Sequence, residues 1–310
     1  MIIAAMSIQP AAGVSPLAHW GVILAEGPEA ASFLQSQLTN DVEHLRVDTA
    51  RLAGWCSAKG RLLASFVVWR PVPDRVLLAC SADLLPETFK RLQMFVLRAR
   101  CKLSDASTSV PLSGIVGSLS RGVLGTAANL DPWHCAAVGT ATVIRLPDAA
   151  GVPRWLWAGD GAPPLPAADA ASWDALEIDS GIVRIVAATV DQFVPQMVNF
   201  ELVGGVDFRK GCFPGQEVVA RSQYRGTIKR RTMRFDTDGA AAPGDDVFAS
   251  DDPTQPAGMV ANSAPCDGTS ALLVELKTAC SGSELHLRAA DGPLLRPGTL
   301  PYALPSDAVT

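Results

Sequence analysis

The stretch VNFELVGGVDFRKGCFPGQEVVARSQYRGTIKRR, Val198–Arg231, decides how this chain is read. At its centre KGCFPGQE, Lys210–Glu217, sets a lysine, a thiol, a turn and two polar side chains side by side in a chain that is 48% hydrophobic. Pro214-Gly215 suits the two central positions of a type II turn, the second of which needs positive φ. QEVVARSQY can run on as a helix, which puts Cys212 just before a helix N-terminus. The partial positive charge there, with Arg209 and Lys210 beside it, favours thiolate over thiol. A buried cysteine in a tight turn is the other reading these residues allow. A phosphate loop is excluded, because GxxxxGK[ST] is missing.

Outward from this stretch, the pattern mixes both element types. GPEAASFLQSQLTNDV reads as a helix with Pro28 in its first turn and Ala30, Phe33, Leu34 and Leu38 on one face. Strand-like runs follow at 51–57, 61–70 and 74–81, the last two joined by the turn PVPD. Ser81 reads as the N-cap of a helix over SADLLPETFKRLQMFVLRAR, with Leu85, Leu92, Phe95 and Val96 inward. GAPPLPAAD (161–169) is a break, followed by a helix with Trp173 and Leu176 as core candidates. After Arg231 short strands recur at roughly ten-residue spacing, as in a small barrel. The fold class is therefore α+β rather than a doubly wound sheet.

At 310 residues the chain has room for two or three domains and a real core. No apolar run approaches the roughly 18–20 residues that span a bilayer. MIIAAM lacks a basic leader region, so no signal peptide is read and the cytoplasm is expected. Seven cysteines, without a CxxC pair, argue against a disulfide framework, a structural zinc site or an iron–sulfur ligand run. Most of these thiols are expected to be small buried hydrophobes. A net charge of −5 argues against direct nucleic-acid binding. The exception is local: Val218–Phe235 has no acid but carries Arg221, Arg225, Lys229, Arg230, Arg231 and Arg234.

KGCFPGQEVVAR followed by YRGTIKRR resembles the signature of the YgfZ-type folate-binding proteins, relatives of the aminomethyltransferase T protein of glycine cleavage. QLTNDVEHL (37–45), WCSAKGRLLASFVVWR (55–70), LEIDSGIVRI and FVPQMVNFELVGGVDF agree in the same order. The resemblance covers most of residues 17–306 and is weak over 105–165. It implies two intertwined T-protein-like α+β folate-binding subdomains (16–228) arranged as a ring and a C-terminal β-barrel (229–306); the residues outside them, 1–15 and 307–310, read as loose ends. It also implies tetrahydrofolate as ligand, including polyglutamylated forms. The implied role is support for making or repairing iron–sulfur enzymes, a tRNA-thiolating one among them, with client or assembly proteins as partners.

Residue by residue, the resemblance marks Cys212 as the functional thiol, with Lys210 beside it. It marks Asp179 (in Asp179-Ser180-Gly181, where the family usually has Glu) as a pterin-facing carboxylate. Asn40, Lys59, Glu201 and Gln216 are carried over as folate contacts, and Arg221 and Arg225 as cations that attract the folate tail. Where the T protein has its catalytic acid, this chain has Ala64 and Ser65. Neither acts as an acid or base, which argues against aminomethyl transfer and leaves a folate-dependent one-carbon transferase as the second reading.

Overall fold

The computed structural model describes residues 13–117, 124–161, 163, 165–225, 228–266 and 268–305, apart from the side chain of Arg225. Three antiparallel sheets organise it. The first contains β2 (Trp20–Glu26), β3 (Ala50–Cys56), β4 (Leu62–Val72), β5 (Arg75–Ser81) and β6 (Lys102–Asp105), in the order β3-β4-β5-β2-β6. The second contains β1 (Gly13–Pro16), β7 (Leu112–Val116), β8 (Cys135–Val138), β9 (Ala141–Ala149) and β10 (Val152–Ala158), in the order β1-β7-β10-β9-β8. The third contains β11 (Arg230–Asp238), β12 (Asp246–Ala249), β13 (Gly258–Cys266), β14 (Thr269–Lys277), β15 (Leu285–Leu287) and β16 (Leu295–Pro297), in the order β15-β12-β13-β14-β11-β16. A bridge between His286 and Leu294 brings its two edges together, so it is a nearly closed six-stranded barrel.

Four helices lie around the sheets among the described residues: α1 (Ala30–Gln35), α2 (Leu85–Val96), α3 (Ala170–Asp179) and α4 (Gln216–Arg225). The chain weaves between the sheets. β1 pairs with β7 in the second sheet, and β2 then enters the first. Past α3 the chain returns to the first sheet, where Ile185, Phe193, Phe200 and Phe213 share one core with Leu62 and Phe66. Ala261 and Leu273 of the barrel join that same core. Each large side chain buried there contributes roughly 1.5–3 kcal/mol, so the three parts stabilise one another. This is the α+β ring-and-barrel class that the resemblance implies.

Three local expectations are corrected. Residues 13–15, read as part of a loose end, form a strand, because their backbone groups pair with β7. Ser81 ends β5 instead of capping a helix; α2 starts at Leu85, and Ser81 Oγ accepts from Arg184. Leu85 and Leu92 are buried as expected, but Phe95 is 45% exposed, its ring edge-on to Trp55. The strands from 51 to 81, the helix after 169 with Trp173 and Leu176 inward, and the barrel strands fall where the pattern puts them.

Candidate functional site: a central cavity and an outer thiol face

The three sheets meet around a cavity of about 290 Å³. Ser65 and Phe66 of β4 line one side, and Trp133 and Arg154 of the second sheet region another. Asp174 and Glu177 project from α3, Arg184 follows it, and Asn262 comes from the barrel. Asn262 fixes the segment after α3: its Oδ1 accepts from the Arg184 N–H at 2.9 Å, and its amide donates to the Arg184 carbonyl at 2.8 Å. Ser65 Oγ accepts from the Ile185 N–H at 2.9 Å.

Glu177 is the best-held polar group of this cavity. Its Oε1 accepts from the indole N–H of Trp20 at 2.9 Å and of Trp173 at 3.1 Å. Its Oε2 accepts from Arg184 Nη2 at 3.3 Å. Burial pushes its pKa up, but the Arg184 guanidinium, with His19 and Arg154, outweighs burial and holds it down at about 2. Arg154 is itself buried, which lowers its pKa to about 10.

Beside Glu177 lie side-chain atoms without a hydrogen bond. Asp174 Oδ1, His19 Nε2 and Arg184 Nε are buried atoms with no hydrogen bond. His19 Nε2 stands 3.5 Å from Asp174 Oδ1 and 3.6 Å from Glu177 Oε2, longer than a good hydrogen bond. Burial raises the Asp174 pKa, against the pull of His19. His19, Asp174 and Glu177 bring one ligand atom each within 4.8 Å, a cluster that sequence spacing did not reveal. Two guanidiniums already balance the two carboxylates, so a divalent cation would leave excess positive charge. The arrangement suits a neutral ligand whose N–H groups meet Asp174 and whose acceptor meets Arg184.

The KGCFPGQE turn lies elsewhere. None of Lys210 to Glu217 lines the cavity. Gly215 has φ +78° and Gly60 φ +72°, and a Cβ on Gly215 would meet Ser57 O at 2.4 Å and Gly60 Cα at 2.6 Å. The turn and the β3–β4 loop thus touch backbone to backbone, which only glycine permits. This contact brings Lys59, the neighbour of Gly60, towards the motif, and leaves it exposed. Cys212 is free and exposed, outside the first turn of α4. Val218 and Tyr224 of α4 are exposed too, Tyr224 packing edge-on against Phe208.

Lys210 is the buried charged member of the motif. Its Nζ donates to the carbonyls of Gln35 and, at 2.5 Å, of Leu38, closing the C-terminal end of α1, and it sits 5.3 Å from the Phe213 ring centre. Burial lowers its pKa to about 8, although Asp41, Asp207 and Cys212 pull the other way. Asn40 acts alike: its amide donates to Leu52 O and Gly204 O, at 2.7 Å each.

The remaining expected contacts are scattered. Asp179, expected to face a pterin, ends α3 and pairs with Arg234 at 3.0 Å. Glu201 forms a buried ion pair with Arg231, and burial raises its pKa despite that partner. Gln216 opens α4. Arg221 pairs with Glu217 at 2.9 Å on the exposed side of α4, Arg230 pairs with Glu275, and Arg234 also reaches Asp236. The Arg225 side chain lies outside the described residues. None of the described side chains among these lines the cavity.

A ring of two α+β parts closed by a barrel around such a cavity defines the T-protein class. The glycine cleavage aminomethyltransferase T from Bartonella henselae superposes with a TM-score of 0.75, covering 94% of this chain and 86% of that one at 17% identity, a likeness of fold alone. The GCVT N-terminal domain family matches residues 4–158. The tRNA-modifying protein YgfZ of Edwardsiella ictaluri is 36% identical over 241 residues, 69% of this chain and 68% of that protein. Its counterpart in Vibrio vulnificus (strain YJ016) is 29% identical over 76% of this chain and 72% of that protein. The chain belongs to the YgfZ family, within the T-protein superfamily. Among the described residues, no helix is long and apolar enough to cross a membrane.

Proposed function

We propose that this chain is a tetrahydrofolate-binding accessory protein that supports assembly or repair of iron–sulfur enzymes in the cytoplasm, tRNA-modifying ones among them. The observation that carries the reading is the set of unpartnered buried atoms in the cavity: an acceptor on Asp174, a donor on Arg184, and His19 Nε2. A tetrahydropterin edge offers the complement, with amino and ring N–H groups for Asp174 and a carbonyl oxygen for Arg184. Glu177 holds Trp20, Trp173 and Arg184 in place around it. Cys212 is the reactive thiol, accessible to a client or assembly protein on the outer face, and Lys210 positions its turn.

The relatives named tRNA-modifying proteins support the tRNA-related part of the role. Ser65, already accepting from the Ile185 N–H, weighs against the one-carbon transferase reading. Calorimetry with tetrahydrofolate tests the ligand: micromolar binding is expected, lost in Asp174→Asn, and no binding by the wild type sinks the reading. Complementation tests the thiol. Cys212→Ala is expected to fail to restore iron–sulfur enzyme activity in a knockout strain, while Cys56→Ala, altered in the β3 interior, restores it.

A further inference from the structure

The end of α2 turns apolar side chains to solvent. Met94 is 62% exposed and Leu97 86%, with Phe95 between them. Eight large hydrophobics are exposed among the described residues, and three of the eight fall within positions 94–97. Scattered singly such residues need no explanation, but a contiguous patch marks an interaction site. Leu97 also has φ +44° and ψ −103°, a conformation that a branched side chain keeps only where its surroundings impose it. They do so here. The Ala99 N–H donates to Val96 O at 2.8 Å, and Glu29 accepts from the Arg100 N–H at 2.7 Å. The turn is thus held with Leu97 outward.

The same stretch is basic. Thr88–Ser104 carries Lys90, Arg91, Arg98, Arg100 and Lys102 and no acid, in a chain whose net charge is −5. Arg100 pairs with Glu29 at 2.9 Å; among the described residues the other four form no ion pair. Arg91 lies over the Trp55 ring, 5.6 Å from its centre, so packing accounts for it. Lys90 and Arg98 stand in solvent, and Lys102 is exposed on the edge strand β6. The basic run at 221–234 is the opposite case, since Arg221, Arg230, Arg231 and Arg234 each hold a carboxylate. Between the end of α2 and β6 runs a groove lined by Met94, Val96, Leu97, Cys101, Lys102 and Leu103.

We propose that this groove and its cations dock an acidic amphipathic helix of a partner protein. A helix laid there sets an apolar ridge against Met94, Val96 and Leu97, while its carboxylates meet Lys90, Arg98 and Lys102. Charge complementarity selects an acidic partner. The concave apolar lining selects a protein among acidic partners. RNA brings phosphates to the cations, but its unpaired bases stack on aromatic faces, and Phe95, the one ring of the patch, is already edge-on to Trp55. A bilayer receives protruding faces, whereas a groove receives a ridge. None of the residues from Lys90 to Leu103 lines the central cavity, so the inference stands independently of the folate reading.

A fluorescent synthetic helix tests it, about five turns long, with leucines at i, i+3, i+4 and i+7 spacing and glutamates elsewhere. Anisotropy with the full chain is expected to show micromolar binding, weakened about tenfold between ~0.05 and ~0.5 M salt. Leu97→Ser and the double variant Arg98→Gln/Lys102→Gln should each weaken it about tenfold. All three side chains are exposed, and an unchanged urea midpoint verifies that the fold is kept. A scrambled peptide of the same composition, without an apolar face, should bind about tenfold more weakly. No binding of the helix by the wild type overturns the inference. So does binding that the variants leave unchanged, or that the scrambled peptide matches. Vesicles of phosphatidylglycerol and bulk tRNA complete the panel. Tighter binding of either, sensitive to the same variants, assigns the surface to lipid or RNA and overturns the protein partner.

Discussion

The cavity and the thiol face solve opposite problems within one chain. In the cavity the polar side chains are taken out of water and hold one another: Glu177 with two indoles and a guanidinium, Asn262 with the backbone of Arg184. At the thiol face it is backbone that is packed, Gly215 on Gly60, while Cys212 stays in solvent. A recognition site benefits from low dielectric, because each partner offered to a ligand is worth more there. A thiol that meets another macromolecule needs access instead. The difference teaches that conserving shape means guarding side chains in one region and glycines in the other.

The comparison breaks most sharply at Glu177. Glu177→Ala leaves Arg184 and two indole N–H groups buried without their acceptor and should cost about 3–5 kcal/mol in urea unfolding. Because the folded-state pKa of Glu177, about 2, lies below its ordinary 4.5, its contribution is present above pH 4.5 and is lost as pH falls towards 2. Glu177→Gln should therefore flatten the acid limb of the stability profile; an unchanged limb would show that the carboxylate's pairing is not what stabilises the cavity.

Gly215→Ala probes the other region and should cost about 1–3 kcal/mol through its positive φ, with more from the clash against Ser57 O. Hydrogen exchange should show the β3–β4 loop opening while α3 stays protected. Equal opening of both would mean that the two regions are one unit.

Lys210→Met removes the donor for two carbonyls at the end of α1 and should cost roughly 1–3 kcal/mol. Its pH signature has the same sign as Glu177's but falls in an alkaline window. A lysine with a folded pKa of about 8 against an ordinary 10.5 makes wild-type stability rise as pH climbs between those values, and the variant should lose that rise. A neutral amine still has two N–H groups, enough for both carbonyls.

The smallest effect belongs to Cys212→Ser, expected within about 0.5 kcal/mol because the side chain is exposed. Alkylation at neutral pH should label Cys212 readily and spare Cys56 and Cys80, whose thiols burial pushes up to about 12.

Period and punctuation in the chain carried the architecture. Strand runs between Arg51 and Ser81, the Pro214-Gly215 turn and the evenly spaced barrel strands were all legible, because each depends on near neighbours. The cavity was not, because its wall joins residues far apart in sequence. One signal was available: Glu177 lies four residues after Trp173, so on a helix it shares the face of a core tryptophan. Motif register instead pointed to Asp179, which two residues on has turned to meet Arg234. Likewise the arginines at 221–234 read as a free basic stripe, since nothing local shows that Glu201, Glu275 and Asp179 come to neutralise Arg231, Arg230 and Arg234.

The cavity wall runs from His19 to Ser263, drawing on strands near both ends of the chain. A chain still being synthesised therefore has no such pocket until β13 has left the ribosome. Ligand capture becomes a late event, available only to finished molecules. A ligand that binds the folded state alone would then act as a final seal, pulling the last-made barrel onto everything built before it.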